Sequence, residues 1–426
     1  MRNISLPEAI SIGIGGMVGG GIFAVLGEAI SLAHGATPVA FLIAGFIAIL
    51  TAYSYAKLSV TFQSRGGTVC FIDKAFGQNI LSGSINLMLW LSYIVTISLY
   101  AVAFASYGAT FFTSKTILLN HILISSAIII PAIINIISAT FVSRSESIIV
   151  GIKIILLIII IASGMFYIEP SRLSPSLYSN NFSILSAGMV IFVAYEGFEL
   201  IANASESITN PIKNIPKAFY YSVGIVIILY ILIAIVTVGD VDESALITAQ
   251  DYALALAAKP ALGQIGFTLV AIAALLSTFS AINATIFGNA RLGYIIAKDG
   301  ELPKLLEYEK GEIPIVGVFL TVFCSLILSN SINLDEIAII ASAGFLLIFF
   351  IVNISALKLY KTINANKTIL IISSILSFIA LATLILQTYQ TNLKAIIIFI
   401  SFIFISFCFE LIYGKIIRKH MFNRYY

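Results

Sequence analysis

The stretch GIGGMVGGGIF, residues 13–23, places six glycines in nine positions inside an otherwise apolar run. Glycine costs about 1 kcal/mol per residue relative to alanine in a helix, so the backbone here is expected to unwind. Bare peptide groups are expensive in hydrocarbon, and an unwound segment at membrane depth must face protein or a wet cavity. The other use of such a run is a glycine seam for close helix packing, with Gly15 and Gly19 at the right spacing.

The surroundings make membrane depth the right frame. Of 426 residues, 60% are hydrophobic and only 10% charged, and the mean hydropathy is +1.06. A soluble domain carries about 25% charged residues, so a water-soluble fold is excluded. Windows of about 19 residues give about twelve spans, beginning near 6, 37, 80, 119, 146, 184, 216, 264, 314, 334, 368 and 393. The first shows no A-x-A type cleavage site and is expected to be a retained helix, not a signal peptide.

With the N-terminus in the cytoplasm, 18 of the 23 basic residues fall on the inner side. Lys115, Arg172, Lys259 and Lys394 fall outside, and Lys153 lies within a span. This bias places both termini in the cytoplasm and the chain in the cytoplasmic membrane. The net charge of +3 then reports topology, and no nucleic-acid partner is expected. Cys70, Cys324 and Cys408 are scattered, as are His34, His121 and His420, so no disulfide framework or metal site is read. Gly19, Gly21 and Ala24 fit G-x-G-x-x-A, but no strand precedes them and no acidic residue follows about 20 positions on, which excludes a dinucleotide cofactor.

Spans 1–5 and 6–10 are offset by roughly 180 to 195 residues, and five is odd, so the second set enters the bilayer with opposite polarity. The expected layout is an inverted repeat, residues 1–170 and 184–361, with an appended helix pair at 368–417. Residues 64–77 read as an interfacial element. The acidic loop 239–260 contains ALALAAK, a short outer helix, and is either a solvated loop or a gate.

The counterpart of the first break is IFVAYEGFELIANASESITNP, residues 191–211, which sets Gly197 between Glu196 and Glu199. A carboxylate at that depth costs on the order of 2.5 to 3.5 kcal/mol and should line water or meet a cation. Glu206, nearer the surface, is expected in an interfacial salt bridge. The half-helix after Gly19 would present free N–H groups at Gly20, Gly21 and Ile22, an anion site suited to a carboxylate. The first half of span 6 would end near Ala194 and Tyr195 with free carbonyls suited to an ammonium. An α-amino acid carries both groups within a few Å.

These segments resemble the amino acid/polyamine/organocation (APC) superfamily of transporters, and within it the ApcT-like, sodium-independent prokaryotic permeases. The first-helix pattern G-x-G-I-F is matched at residues 19–23. The sixth-helix pattern A-Y-x-G-F-[DE] is matched at 194–199, followed by A-x-E at 204–206 and N-P-x-[KR]-x-x-P at 210–216. NARLGYIIAKDGELP, residues 289–303, is similar to the family's eighth helix and following loop. The resemblance covers the first ten helices. It implies an all-α LeuT-like fold of about twelve helices with helices 1 and 6 broken, and alternating-access transport of amino acids.

The resemblance also implies a role for Lys153, in GIKIILLIIIIASG at residues 151–164. By position the lysine either snorkels to the interface or faces the bundle, where it can release and regain a proton. In ApcT-like members a helix-5 lysine replaces the sodium of coupled relatives. It would contact carbonyls near Gly15 and Gly16 and hydroxyls such as Ser277 and Ser280, making protons the coupling ion. Glu196 departs from the family pattern, which has an apolar residue before the helix-6 glycine. It either receives a cationic substrate side chain, pairs with Lys153, or packs as a neutral acid. Tyr93, Tyr195 and Phe198 either close over the substrate or simply pack. Competing readings are an amino acid/polyamine exchanger and a transporter-like nutrient sensor. No HExxH, paired histidines or nucleophile with a base points to an enzyme.

Overall fold

The computed structural model describes residues 4–114, 116–137, 139–311, 313–414 and 416, and of residues 139–148 the backbone only. Arg2, Lys115, Lys415, Arg418, Lys419, Arg424, His420 and the side chain of Arg144, which entered the charge and histidine readings, lie outside the described residues. The described chain is all-helical apart from three isolated bridge pairs.

The glycine run splits the first span into α1 (Leu6–Met17) and α2 (Gly21–Ala33), bent by 47°. Next come α3 (Thr37–Thr61), a short α4 (Thr68–Phe76), α5 (Ile80–Ala109), α6 (Ile117–Ile137) and α7 (Ala139–Gly164). Span 6 starts as α8 (Asn181–Val190) and tightens to 3-10 geometry over Ile191–Tyr195. It turns extended at Glu196 (ψ 146°) and left-handed at Gly197 (φ 117°), then resumes as the four-residue α9 (Leu200–Asn203). The remainder is α10 (Pro211–Asp240), α11 (Glu243–Thr248), α12 (Ala253–Ala257), α13 (Lys259–Lys298), α14 (Ile315–Ser331), α15 (Leu334–Lys358), α16 (Lys367–Thr391) and α17 (Leu393–Tyr413).

Among the described residues, nine helical segments are long and apolar enough to cross a membrane, ten with the bent pair α1–α2. The protein is therefore a multi-pass membrane protein. Length and composition do not reach the expected twelve, because the fifth and ninth spans fall on shorter apolar stretches, Ile149–Gly164 and Ile315–Ser331. Helices satisfy their own backbone, which is why the chain can be this apolar and still be fully hydrogen-bonded in lipid. α5 is the central post, with 89% of its span buried, against 28% for α6 and α17. Leu118, Ile133, Ile397 and Phe404 on those outer helices are exposed, as suits a surface that faces hydrocarbon.

At one end of the bundle, Ile4 pairs with the chain after α9: Ile4 N–H donates to Ser207 O (2.7 Å) and Thr209 N–H to Ile4 O (2.9 Å). Arg65, before α4, meets Glu206 at 3.3 Å, the salt bridge expected for that glutamate. The loop 239–260 belongs to the other end. It is not a solvated loop: Ala253, Leu254 and Ala255 are buried, and the segment lies against α2 and α5.

Candidate functional site

The two interruptions meet backbone to backbone. A Cβ on Gly16 would lie 2.6 Å from the Gly197 carbonyl oxygen, and one on Gly21 would lie 2.7 Å from the Ala194 Cα. Gly197, at φ 117°, holds a conformation that favours glycine. The glycine run thus serves both uses the sequence left open: the helix breaks at Val18–Gly20, and Gly16 and Gly21 admit the partner backbone.

Neighbouring side chains take up the backbone groups that the breaks release. The Tyr230 hydroxyl, from α10, lies 2.7 Å from Met17 O and 3.1 Å from Ala194 O, so one group spans both breaks. Ser277 of α13 lies 3.1 Å from Val18 O and also reaches Gly19 O. Ser342 of α15 donates to Val190 O (2.5 Å) and accepts from Val193 N–H (3.1 Å). Glu199 folds back on its own turn: one oxygen accepts the Gly197 N–H at 2.8 Å and the other the Tyr93 hydroxyl at 2.9 Å. That carboxylate fastens the span-6 break to α5.

Beside the crossing lies a small cavity of about 50 Å³. Its wall includes Gly15, Gly16, Tyr93, Tyr100, Lys153, Glu196, Gly197 and Ser280, and it reaches Gly66, Thr68 and Asn203 at the end that carries Ile4. Glu196 is 4% exposed, with one oxygen 3.4 Å from both Thr96 Oγ1 and Tyr100 OH. Lys153 is 2% exposed and faces the bundle, so its stem does not snorkel to an interface.

Of the residues singled out from sequence, Gly15, Gly16, Lys153, Glu196 and Ser280 share this cavity, together with Tyr93. The others sit behind its wall. The Tyr100 ring covers Gly20, Gly21 abuts Ala194, and Gly19 and Ile22 are buried in the same layer. Ser277 is occupied by the Val18 and Gly19 carbonyls. Tyr195 donates to Phe41 O at 2.9 Å and packs on Tyr230, while Phe198 sits in an aromatic cluster with Tyr55, Phe219 and Phe349. Both side chains therefore point away from the cavity and pack. Tyr100, Thr96 and Tyr230 were missed from sequence. Their one signal was a hydroxyl in an apolar helix, which many packing residues share.

A membrane-crossing bundle in which two interrupted helices wall a polar cavity is the architecture of a solute transporter. The amino acid permease family model matches residues 4–409, and the chain belongs to that family, within the APC superfamily; its members are transporters, not enzymes. The chain is 33% identical to the inner membrane transport protein YbaT of Escherichia coli, over 95% of each chain. It is 24% identical to the branched-chain amino acid permease BcaP of Bacillus subtilis, over 84% of this chain and 81% of that one. It is 26% identical to cationic amino acid transporter 3, mitochondrial, of Arabidopsis thaliana, over 84% of this chain and 62% of that one.

Proposed function

We propose that the chain is a secondary active amino acid transporter working by alternating access, coupled to protons and independent of sodium. The observation that carries this reading is the crossing of two interrupted helices at Gly16 and Gly197 on the wall of a cavity that also holds buried Lys153 and Glu196. The architecture is a LeuT-like inverted repeat, 1–170 and 184–361, with 368–417 appended and α7 and α14 supplying the fifth and ninth of twelve spans. Both termini lie in the cytoplasm, so the cavity opens inward. The E. coli relative, named an inner membrane protein, fits that location.

The substrate carboxylate binds the N–H groups of Gly20, Gly21 and Ile22 at the start of α2, where no side chain caps the helix. Tyr100 lies over Gly20, so its ring turns aside as the carboxylate arrives. The ammonium goes to the Ala194 carbonyl, whose second lone pair is available beside the Tyr230 hydroxyl. Glu196 receives a cationic side chain, favouring arginine, lysine or ornithine. The relatives' names, one branched-chain and one cationic, do not choose between apolar and charged cargo.

Lys153 carries the proton, with Gly15, Gly16 and Ser280 beside it in the cavity and Ser277 tying α13 to the first break. One proton moving down 100 mV supplies about 2.3 kcal/mol. The test is uptake of labelled amino acids into proteoliposomes, with and without an imposed pH gradient and with and without internal substrate. Accumulation driven by the gradient in empty vesicles is expected, and it should vanish in Lys153→Ala. A Lys153→Ala protein that still concentrates substrate removes the proton role. Uptake only into substrate-loaded vesicles would make the protein an exchanger.

A further inference from the structure

The turn from α15 into α16, residues 359–366, lies at the end of the bundle that carries Ile4 and is tied to the last turns of α3. The Lys57 ammonium donates to Asn364 O at 3.0 Å, and the Tyr53 hydroxyl accepts the Asn366 N–H at 2.8 Å. Asn364 is left-handed (φ 48°) and Ala365 N–H donates to Tyr360 O at 3.0 Å, so the chain doubles back on itself. Asn366 then caps α16 by accepting the Thr368 N–H at 2.9 Å. This folding gathers three lysines around two rings. Lys57 lies 5.9 Å from the centre of the Tyr53 ring, and Lys361 and Lys367 lie 5.9 and 5.5 Å from that of Tyr360.

No carboxylate answers them. The sequence has no Asp or Glu between Glu28 and Asp73 or between Glu336 and Glu410. Among the described residues, none of the three lysines joins a salt bridge. The ring faces offset part of the repulsion between like charges held on one turn, and an anion would offset more.

The surface below the cluster says which anion. Ile371, Ile375 and Phe378 follow Lys367 at four, eight and eleven positions, the spacing of one helix face. All three are exposed, and α16 is long and apolar enough to cross a membrane. Ammonium groups and tyrosine rings at the head of an exposed apolar ridge match the two halves of a phospholipid, whereas a free phosphate would use only the first.

We propose that this cluster binds an anionic phospholipid, its head-group phosphate among Lys57, Lys361 and Lys367 and an acyl chain along Ile371, Ile375 and Phe378. The lipid fastens α3 to the α15–α16 turn. None of these residues lines the cavity at the crossing, so the site stands apart from the substrate and proton contacts. It does not depend on which side of the membrane this end faces.

The test titrates the full chain in detergent with phosphatidylglycerol or phosphatidylcholine of the same acyl chains and counts bound lipid by native mass spectrometry. At about fivefold per lysine, the parent should favour phosphatidylglycerol about a hundredfold. Lys361→Gln with Lys367→Gln, both exposed, should leave about fivefold, with Lys57 kept because it holds the turn. Arginine at the same two positions should keep the preference. Lys213→Gln with Lys217→Gln, exposed on α10 at the same end, should match the parent. A parent that binds the two lipids alike, a glutamine pair that keeps the full preference, or an α10 pair that loses as much overturns the site. So does displacement of phosphatidylglycerol by an equal concentration of glycerol phosphate, which would make the cluster a site for a free anion. Should the glutamine pair fail to fold, the parent's preference and the glycerol phosphate competition still decide.

Discussion

Adding one methyl group at Gly16 probes the crossing directly. An alanine Cβ there would sit 2.6 Å from the Gly197 carbonyl oxygen and 2.9 Å from its carbonyl and α carbons. All three are backbone atoms, so no side chain can rotate away and the two segments must separate. Overpacking of this kind costs about 1–3 kcal/mol, an equilibrium factor of about 5 to 150. Gly224, in the middle of α10, is the control: an added Cβ meets nothing within 4 Å. There the helix preference for alanine should hold or raise stability by up to about 1 kcal/mol. The assay pairs thermal unfolding in detergent with initial uptake rate at equal membrane abundance. Gly16→Ala should lower the melting temperature and reduce uptake at least about fivefold, while Gly224→Ala leaves both at or above the parent. A Gly16→Ala protein that melts and transports like the parent would refute the backbone-to-backbone crossing as a functional element.

Tyr230→Phe removes the hydroxyl shared by the Met17 and Ala194 carbonyls. Leaving a buried acceptor unsatisfied costs about 1–3 kcal/mol, and saturating substrate should restore part of that by donating to Ala194; equal melting losses with and without substrate would argue against the ammonium position. Glu199→Ala strands the Gly197 N–H and the Tyr93 hydroxyl, at a cost again of about 1–3 kcal/mol, whereas Glu199→Gln keeps an acceptor for the amide. Unfolding measurements should therefore rank glutamine well above alanine, and equal losses would mean that the side chain does not hold the turn.

The residues legible in advance were those whose chemistry is out of place in lipid. Six clustered glycines, two glutamates around Gly197 and a lysine in an apolar run each conflict with their surroundings, and the structure puts Gly15, Gly16, Glu196 and Lys153 on one cavity. Tyr195 and Phe198 were drawn in by adjacency to those motifs. A break of 3-10 and left-handed geometry rotates successive side chains by unequal steps, so neighbours in sequence need not share a face: Glu196 turns to the cavity, and its flanking aromatics turn to the core. Tyr230 and Lys57 gave no such warning, because a tyrosine in an apolar helix and a lysine at a helix end are ordinary.

Hydropathy alone determined that this chain lies in a membrane, and glycine content marked its first span as the one expected to unwind, since both follow from local costs paid residue by residue. Which hydroxyl closes which broken end, and which lysines gather on one turn, was decided only by tertiary structure. Met17 and Tyr230, or Lys57 and Asn364, are hundreds of residues apart along the chain. Hydrogen bonds depend on ångström-scale distance and direction, and sequence spacing carries no record of either.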